Sequence, residues 1–169
     1  ADKTIILWRS SDGKEIRSFR GSTSEIMHLE FSNEGSGILS LDDNGICIVW
    51  DITTGKQIKK LTPAGSRFTC ASFSPDGSMI VTGSRKSGIS VWNILNGEEL
   101  MKLVPVPADL YSEKGFDYPE TGSVAYSRDG QFIVAGAGDN TAILFDGKSG
   151  KEIRKFKKKN YNETKISKI

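Results

Sequence analysis

Few side chains in this sequence have the type and spacing that chemistry needs. A Ser–His–Asp or Cys–His centre would have to use the single histidine, His28, because such centres need an imidazole to take the nucleophile's proton. His28 falls inside the run IMHLEF (26–31), three residues before Phe31, and reads as a packed or half-exposed strand residue. Cys47 and Cys70 lie in apolar runs without metal-ligand or redox spacing, so both are expected as reduced core thiols. Asp42-Asp43-Asn44-Gly45 has the opening carboxylates of a calcium loop but neither the following ligands nor the distal Glu, and is better read as a hairpin turn. No G-x-x-x-x-G-K-[ST] run is present to cradle phosphate. The chain is therefore expected to be no enzyme and to hold neither metal nor cofactor.

Charge narrows the remaining classes. The chain has 169 residues and a net charge of +2, which argues against a coat for nucleic acid. The balance is uneven: residues 151–169 carry +6 and residues 1–150 carry −4. Lys157, Lys158 and Lys159 could touch phosphates, but no aromatics interleave with them, so a solvated loop is the favoured expectation. Asn162-Glu163-Thr164 fits a glycosylation acceptor by pattern alone. No secretory signal is visible and no apolar run approaches the roughly 20 residues of a membrane span. With two unpaired cysteines, this weakly favours a cytoplasmic or nuclear location and gives no membrane partner.

The elements that would position any site come from a repeat. Aromatics end four apolar runs at Trp8, Trp50, Trp92 and Phe145, with spacings of 42, 42 and 53. A second landmark, FSNEG (31–35), FSPDG (73–77) and YSRDG (126–130), is spaced by 42 and 53 as well. The 11-residue excess lies between residues 104 and 123, in VPVPADLYSEKGFDYPETGS. Each period divides into four short runs, in the second case IMHLEF (26–31), GILSL (37–41), ICIVW (46–50) and KQIKKL (56–61). Gly/Asp/Asn turns and β-branched enrichment make these antiparallel strands. The third run is apolar nearly throughout and should be buried on both faces, whereas the fourth alternates charge with apolar residues, as an outer strand does. The expected fold class is all-β, with four-stranded antiparallel blades of a propeller.

At these residues the chain resembles the WD40-repeat family. Trp50-Asp51 matches its signature dipeptide, and Trp8-Arg9, Trp92-Asn93 and Phe145-Asp146 are degraded copies. FSPDG matches the first hairpin turn, and DKTIILW (2–8) and DNTAILF (139–145) match the D-x-T-x-x-x-W run. The resemblance implies a propeller, typically of seven blades, of which this chain would be an incomplete segment. A partial blade occupies 1–20, and blades follow at 21–61, 62–103 and 104–156, the last with the inserted loop 104–123. Residues 157–169 form a basic link and, in ETKISKI, the start of a next blade. Such a segment would leave apolar blade faces and strand edges open, and the remaining blades of a parent chain would be its partners. The family's Gly-His dipeptide reads Gly21-Ser22 and Pro63-Ala64 here, and its turn Asp is kept at Asp2 and Asp139 but is Asn44 and Lys86 in the middle blades. The hydrogen-bond network implied by the family, His–Ser/Thr–Asp–Trp, cannot therefore form in full.

What remains is surface. The turns at 42–45, 84–87 and 137–140 and the links between blades are expected on one face. The candidate contact residues there are Asp42, Asp43, Arg67, Arg85 and Lys86, with Asp109, Tyr111, Phe116, Asp117 and Tyr118 from the insertion. The resemblance implies a non-catalytic scaffold for a protein or peptide partner. The alternatives are an enzymatic propeller with its active groups in missing blades, and an RNA-associated scaffold using Lys157, Lys158 and Lys159.

Overall fold

The computed structural model describes residues 2–85, 87–103, 121–137 and 141–157. Fourteen strands and no helix occur among them. A two-stranded sheet comes first, β1 (Thr4–Trp8) with β2 (Glu15–Arg20). Three four-stranded antiparallel meanders follow: β3 (Ile26–Phe31), β4 (Gly37–Asp42), β5 (Cys47–Asp51) and β6 (Gln57–Leu61); β7 (Phe68–Phe73), β8 (Met79–Ser84), β9 (Gly88–Asn93) and β10 (Glu99–Leu103); and β11 (Thr121–Tyr126), β12 (Phe132–Ala137), β13 (Thr141–Asp146) and β14 (Glu152–Lys157). The strands of the first blade lie within one residue of the apolar runs of the sequence. Thr121–Ser123, counted with the insertion in the sequence, are the first half of β11.

These residues form strands because each run is short, rich in Val, Ile and aromatics, and closed by a turn that only a few residue types make well. The first turn is built alike in the second and third blades. Ser74 Oγ donates to Asp76 Oδ1 (2.6 Å) and accepts from Met79 N (2.9 Å), and Ser127 Oγ does the same with Asp129 (2.6 Å) and Phe132 N (2.9 Å). The turn after the third strand is an Asx turn: Asp51 Oδ1 accepts from Thr54 N (2.6 Å), Asp146 Oδ1 from Ser149 N (2.7 Å), and Asn93 Oδ1 from Leu95 N (2.8 Å).

The core is not inside any sheet but between sheets. Ile5 and Phe19 of the two-stranded sheet share a cluster with Ile38, Ile48 and Trp50 of the next. Leu39, Leu41, Val49 and Leu61 meet Phe68, Phe73 and Ile80 across the second gap. Val81, Val91 and Leu103 meet Ile133, Ile143 and Phe145 across the third. A central strand therefore contributes to two clusters, which is why β5 is buried on both faces and reads as a continuous apolar run. The outer strands β6, β10 and β14 are largely exposed, matching their alternation of charge.

The stack stays open, as an incomplete propeller does. The β1–β2 sheet covers only the outer part of the first blade, so Met27 (63%), Leu29 (50%) and Phe31 (58%) of inner strand β3 are exposed, whereas Phe73 in the matching place on β7 is 6% exposed. At the other end Val134 and Phe156 of the last blade are exposed.

Part of the bracing network survives its missing members. Trp50 Nε1 donates to Ser40 Oγ and Trp92 Nε1 to Thr82 Oγ1, both at 2.8 Å and across the same pair of strands. Ser40 is 1% exposed, so Ser40→Ala strands the indole N–H in an apolar layer and should cost about 1–3 kcal/mol. Ser40→Thr restores the hydroxyl that the second blade uses at that place and should recover most of the loss, measured by urea midpoints of the two variants.

Candidate functional site

The β4–β5 turn illustrates how the sequence builds one face. Gly45 closes it with φ of +74° and donates its N–H to Asp42 O (2.7 Å). Asp42 is 3% exposed, and its carboxylate accepts four hydrogen bonds: from Thr23 Oγ1 (2.9 Å), Thr23 N (3.2 Å) and Ser24 N (3.3 Å) of the incoming link, and from Ile46 N (2.9 Å). Asn44 Nδ2 donates to Thr23 Oγ1 at 3.2 Å. Asp42 thus braces the face from beneath, tying the 21–25 link to the β4–β5 turn. Asp43 points outward instead. Arg67, from the link to the next blade, donates from Nη1 to Asp43 O (2.6 Å) and stands 3.6 Å from its carboxylate. Both side chains remain more than half exposed.

The second blade repeats the arrangement with different chemistry. Ser84 takes the place of Asp42, is 4% exposed, and accepts from Ser87 N (2.9 Å) while donating to Gly88 O (3.2 Å). Arg85 is exposed on that turn. Thr69 Oγ1 donates to Thr121 O (2.5 Å), linking this blade to the start of β11. Leu103 and Thr121 therefore both end at the same rim as Asp43, Arg67 and Arg85, since they pair with Ile89 and Ala137 beside the β8–β9 and β12–β13 connections. Lys86, Asp109, Tyr111, Phe116, Asp117, Tyr118, Lys158 and Lys159 lie outside the described residues. Lys157 ends β14, exposed, opposite Thr141.

Sequence reasoning passed over Glu30. Its carboxylate crosses from β3 to the next blade, accepting from Ser72 Oγ (3.1 Å) and Phe73 N (3.3 Å). His28 Nε2 stands 3.9 Å from Glu30 and its side chain is 46% exposed. An acidic residue within the inner strand IMHLEF was the available signal. On the opposite rim, a cleft of about 510 Å³ opens between the last two blades, walled by Pro75, Met79, Met101 and Tyr126. Burial, with Asp76 nearby, pushes the Tyr126 phenol up to about 12.

Cys47 is buried, and burial pushes its thiol up, reinforced by the negative charges of Glu30 and Asp42; that makes it a poor nucleophile. Among the described residues no group of three or more His, Cys, Asp or Glu is placed to hold a metal, and no helix is long and apolar enough to cross a membrane. What the rim offers is a set of turns held rigidly by buried polar groups, with mixed charge on top.

A family model described as WD40: WD domain, G-beta repeat matches residues 13–51, 55–93 and 120–146, together well over half of the chain. No curated protein matches it. The matched segments do not coincide with the sheets: 13–51 takes in β2 and then β3 to β5, so one repeat spans two neighbouring blades.

Two expectations follow from this geometry. A Cβ at Gly45 would sit 2.5 Å from Arg67 Cβ and 2.6 Å from Phe68 N, so Gly45→Ala should destabilise by about 2–3 kcal/mol, whereas Gly122→Ala meets open space and should be near neutral in thermal melts. Hydrogen bonds from Thr54 hold Asp51 below the usual carboxylate range, those from Ser74 and Ser78 do so for Asp76, those from Ser127 and Gln131 for Asp129, and those from Ser149 for Asp146. The unfolded chain binds these protons more readily, so the stability they supply is complete above the ordinary value of 3.8 and is lost as pH falls through the lower folded-state values. Asp51→Asn should keep the turn, as Asn93 does in the next blade, and flatten the acid limb of stability against pH.

Proposed function

Because the chain belongs to the WD40-repeat family, we propose that it works as a non-catalytic scaffold presenting one loop rim of its propeller segment to a protein or peptide partner. WD40 repeats generally mediate protein–protein interactions, and the family is typically a non-enzymatic scaffold. The observation that carries the reading is the rim itself. Three connections reach it under buried polar braces, and the strand ends that flank residues 104–120 reach it too. Rigid backbone lowers the ordering cost of binding, and the insertion adds Tyr111, Phe116 and Tyr118, residue types that dominate interface energies.

Charge supplies orientation. Asp43, Arg67 and Arg85 set both signs along the rim, a pattern that selects register and approach more than raw affinity. Two unpaired cysteines suit a reducing compartment, which keeps a cytoplasmic or nuclear location as part of this proposal.

The test is capture of partners on the immobilised chain. Deleting 108–118 should abolish the capture seen with the wild type while far-ultraviolet circular dichroism stays the same. Arg67→Glu should weaken it about tenfold, chiefly through the association rate. Capture that survives both changes sinks the proposal. A salt-sensitive shift with RNA, lost when Lys157, Lys158 and Lys159 are replaced by Ala, would transfer the function to nucleic acid.

A further inference from the structure

The three gaps between neighbouring sheets close differently at the rim that carries the β5–β6 turn and its counterparts. Two positions decide this. The first is the residue that opens that turn, held alike in each blade: Ile52, Ile94 and Gly147 donate their N–H groups to the carbonyls of Ser36, Ser78 and Gln131. Ile52 and Ile94 pack into the apolar clusters of the first and second gaps. Gly147 has no side chain to place in the third.

The second position lies on the preceding sheet's outer strand. Arg17, Lys59 and Met101 are equivalent, paired with Leu7, Val49 and Val91, each the residue before the aromatic. Each lies across the turn glycine of the next sheet, Gly55, Gly97 or Gly150. In the first gap Arg17 caps that turn, Nη2 donating to Thr53 O (2.7 Å) and Nη1 to Thr54 O (3.1 Å). In the second, Lys59 Nζ comes within 3.5 Å of where a Cβ on Gly97 would stand. In the third, Met101 offers the corresponding Lys148–Ser149 turn neither charge nor donor.

Both departures border the cleft of about 510 Å³ between the second and third blades, which is lined by Gly147 and Met101. That volume is within the range of sites that enclose a ligand group. Pro75, Met79, Leu100 and Tyr126 make the rest of its wall apolar, and Asp76 and Asp129 bring two carboxylates to it. Turn hydrogen bonds keep both carboxylates ionised and fixed in place. Lys148 is the opposing charge of the lining, and it acts on Asp146 as well. Two carboxylates against one ammonium leave the lining negative. Arg128, beside Asp129, lines instead a smaller hollow with Glu30.

We propose that this cleft binds an arginine side chain of a partner peptide, together with a large apolar residue beside it. The guanidinium takes the place over the Lys148–Ser149 turn that Arg17 takes over Thr53–Thr54, with Asp76 and Asp129 as its counter-charges. The apolar neighbour lies on Met79, Leu100 and Met101. A planar fork of donors suits two adjacent carbonyls better than a lysine's point charge does. The chain closes its first gap with its own arginine and leaves the third to be closed by another's. The site is on the opposite rim from Asp43, Arg67 and Arg85, and is additional to the contact proposed there.

Methyl resonances of the three methionines, Met27, Met79 and Met101, test this directly. The probe is the peptide acetyl-Leu-Arg-Leu-amide, with a control carrying citrulline, a neutral isostere, in place of arginine. Titration should shift Met79 and Met101 saturably and leave Met27, on β3, unmoved. The citrulline peptide should bind at least about tenfold more weakly. Asp76→Asn and Asp129→Asn keep an acceptor for the turn and should each weaken binding about three- to tenfold. Met101→Arg should abolish it, read at Met79, because the chain then fills the site as Arg17 fills the first gap; Met101→Leu should retain it. Thermal melts establish that each variant is folded. The proposal is overturned if the peptide shifts neither Met79 nor Met101, or shifts Met27 equally. Equal binding of the citrulline peptide, or binding that survives in folded Met101→Arg, overturns it as well.

Discussion

The structure depends on one constraint: a blade sheet is apolar on both faces and buries them only against neighbouring sheets. A four-stranded sheet exposes its central strands twice, above and below, and removing that surface from water is worth on the order of 1.5–3 kcal/mol for each large side chain. Leu39 and Val49 look one way from the first blade and Ile38 and Trp50 the other, all almost fully buried. Everything else follows from the stack. Loops are driven to two rims, charges to the outer strands, and unspent apolar surface to whichever sheets stand last.

The rims are where polar chemistry is permitted, and the structure uses it first for stiffness. Asp42 spends its carboxylate on four internal hydrogen bonds, and Ser84 does the same work in the next blade without a charge. Glu30 ties two inner strands together near the axis. Groups that look like candidate ligands in a list of acidic residues are therefore divided by burial. Asp42 and Glu30 hold the frame, and Asp43, with Arg67 and Arg85, faces outward on it.

Much of this was legible in the sequence because the information is periodic. Two landmarks with one period of 42 located the strands of the first complete blade to within a residue, since each run is closed by a turn of residue types such as Gly45 and Asp51 that favour turns. The partial loss of the bracing network was legible too, from Asn44 and Lys86. The survival of the Trp50–Ser40 and Trp92–Thr82 bonds was not, because those partners sit ten residues apart and meet only when two strands pair in the right register.

The sequence by itself determined the strands, their order and the alternation of apolar and charged faces, because these depend on neighbours one to six residues away. Tertiary structure alone decided which side chains of one kind have different fates. Trp8 and Trp50 stand in equivalent runs, yet one is more than half exposed and the other 2%, because only Trp50 has a Phe19 set against it by a neighbouring sheet. Burial between blades is a property of the stack, and no single repeat contains it.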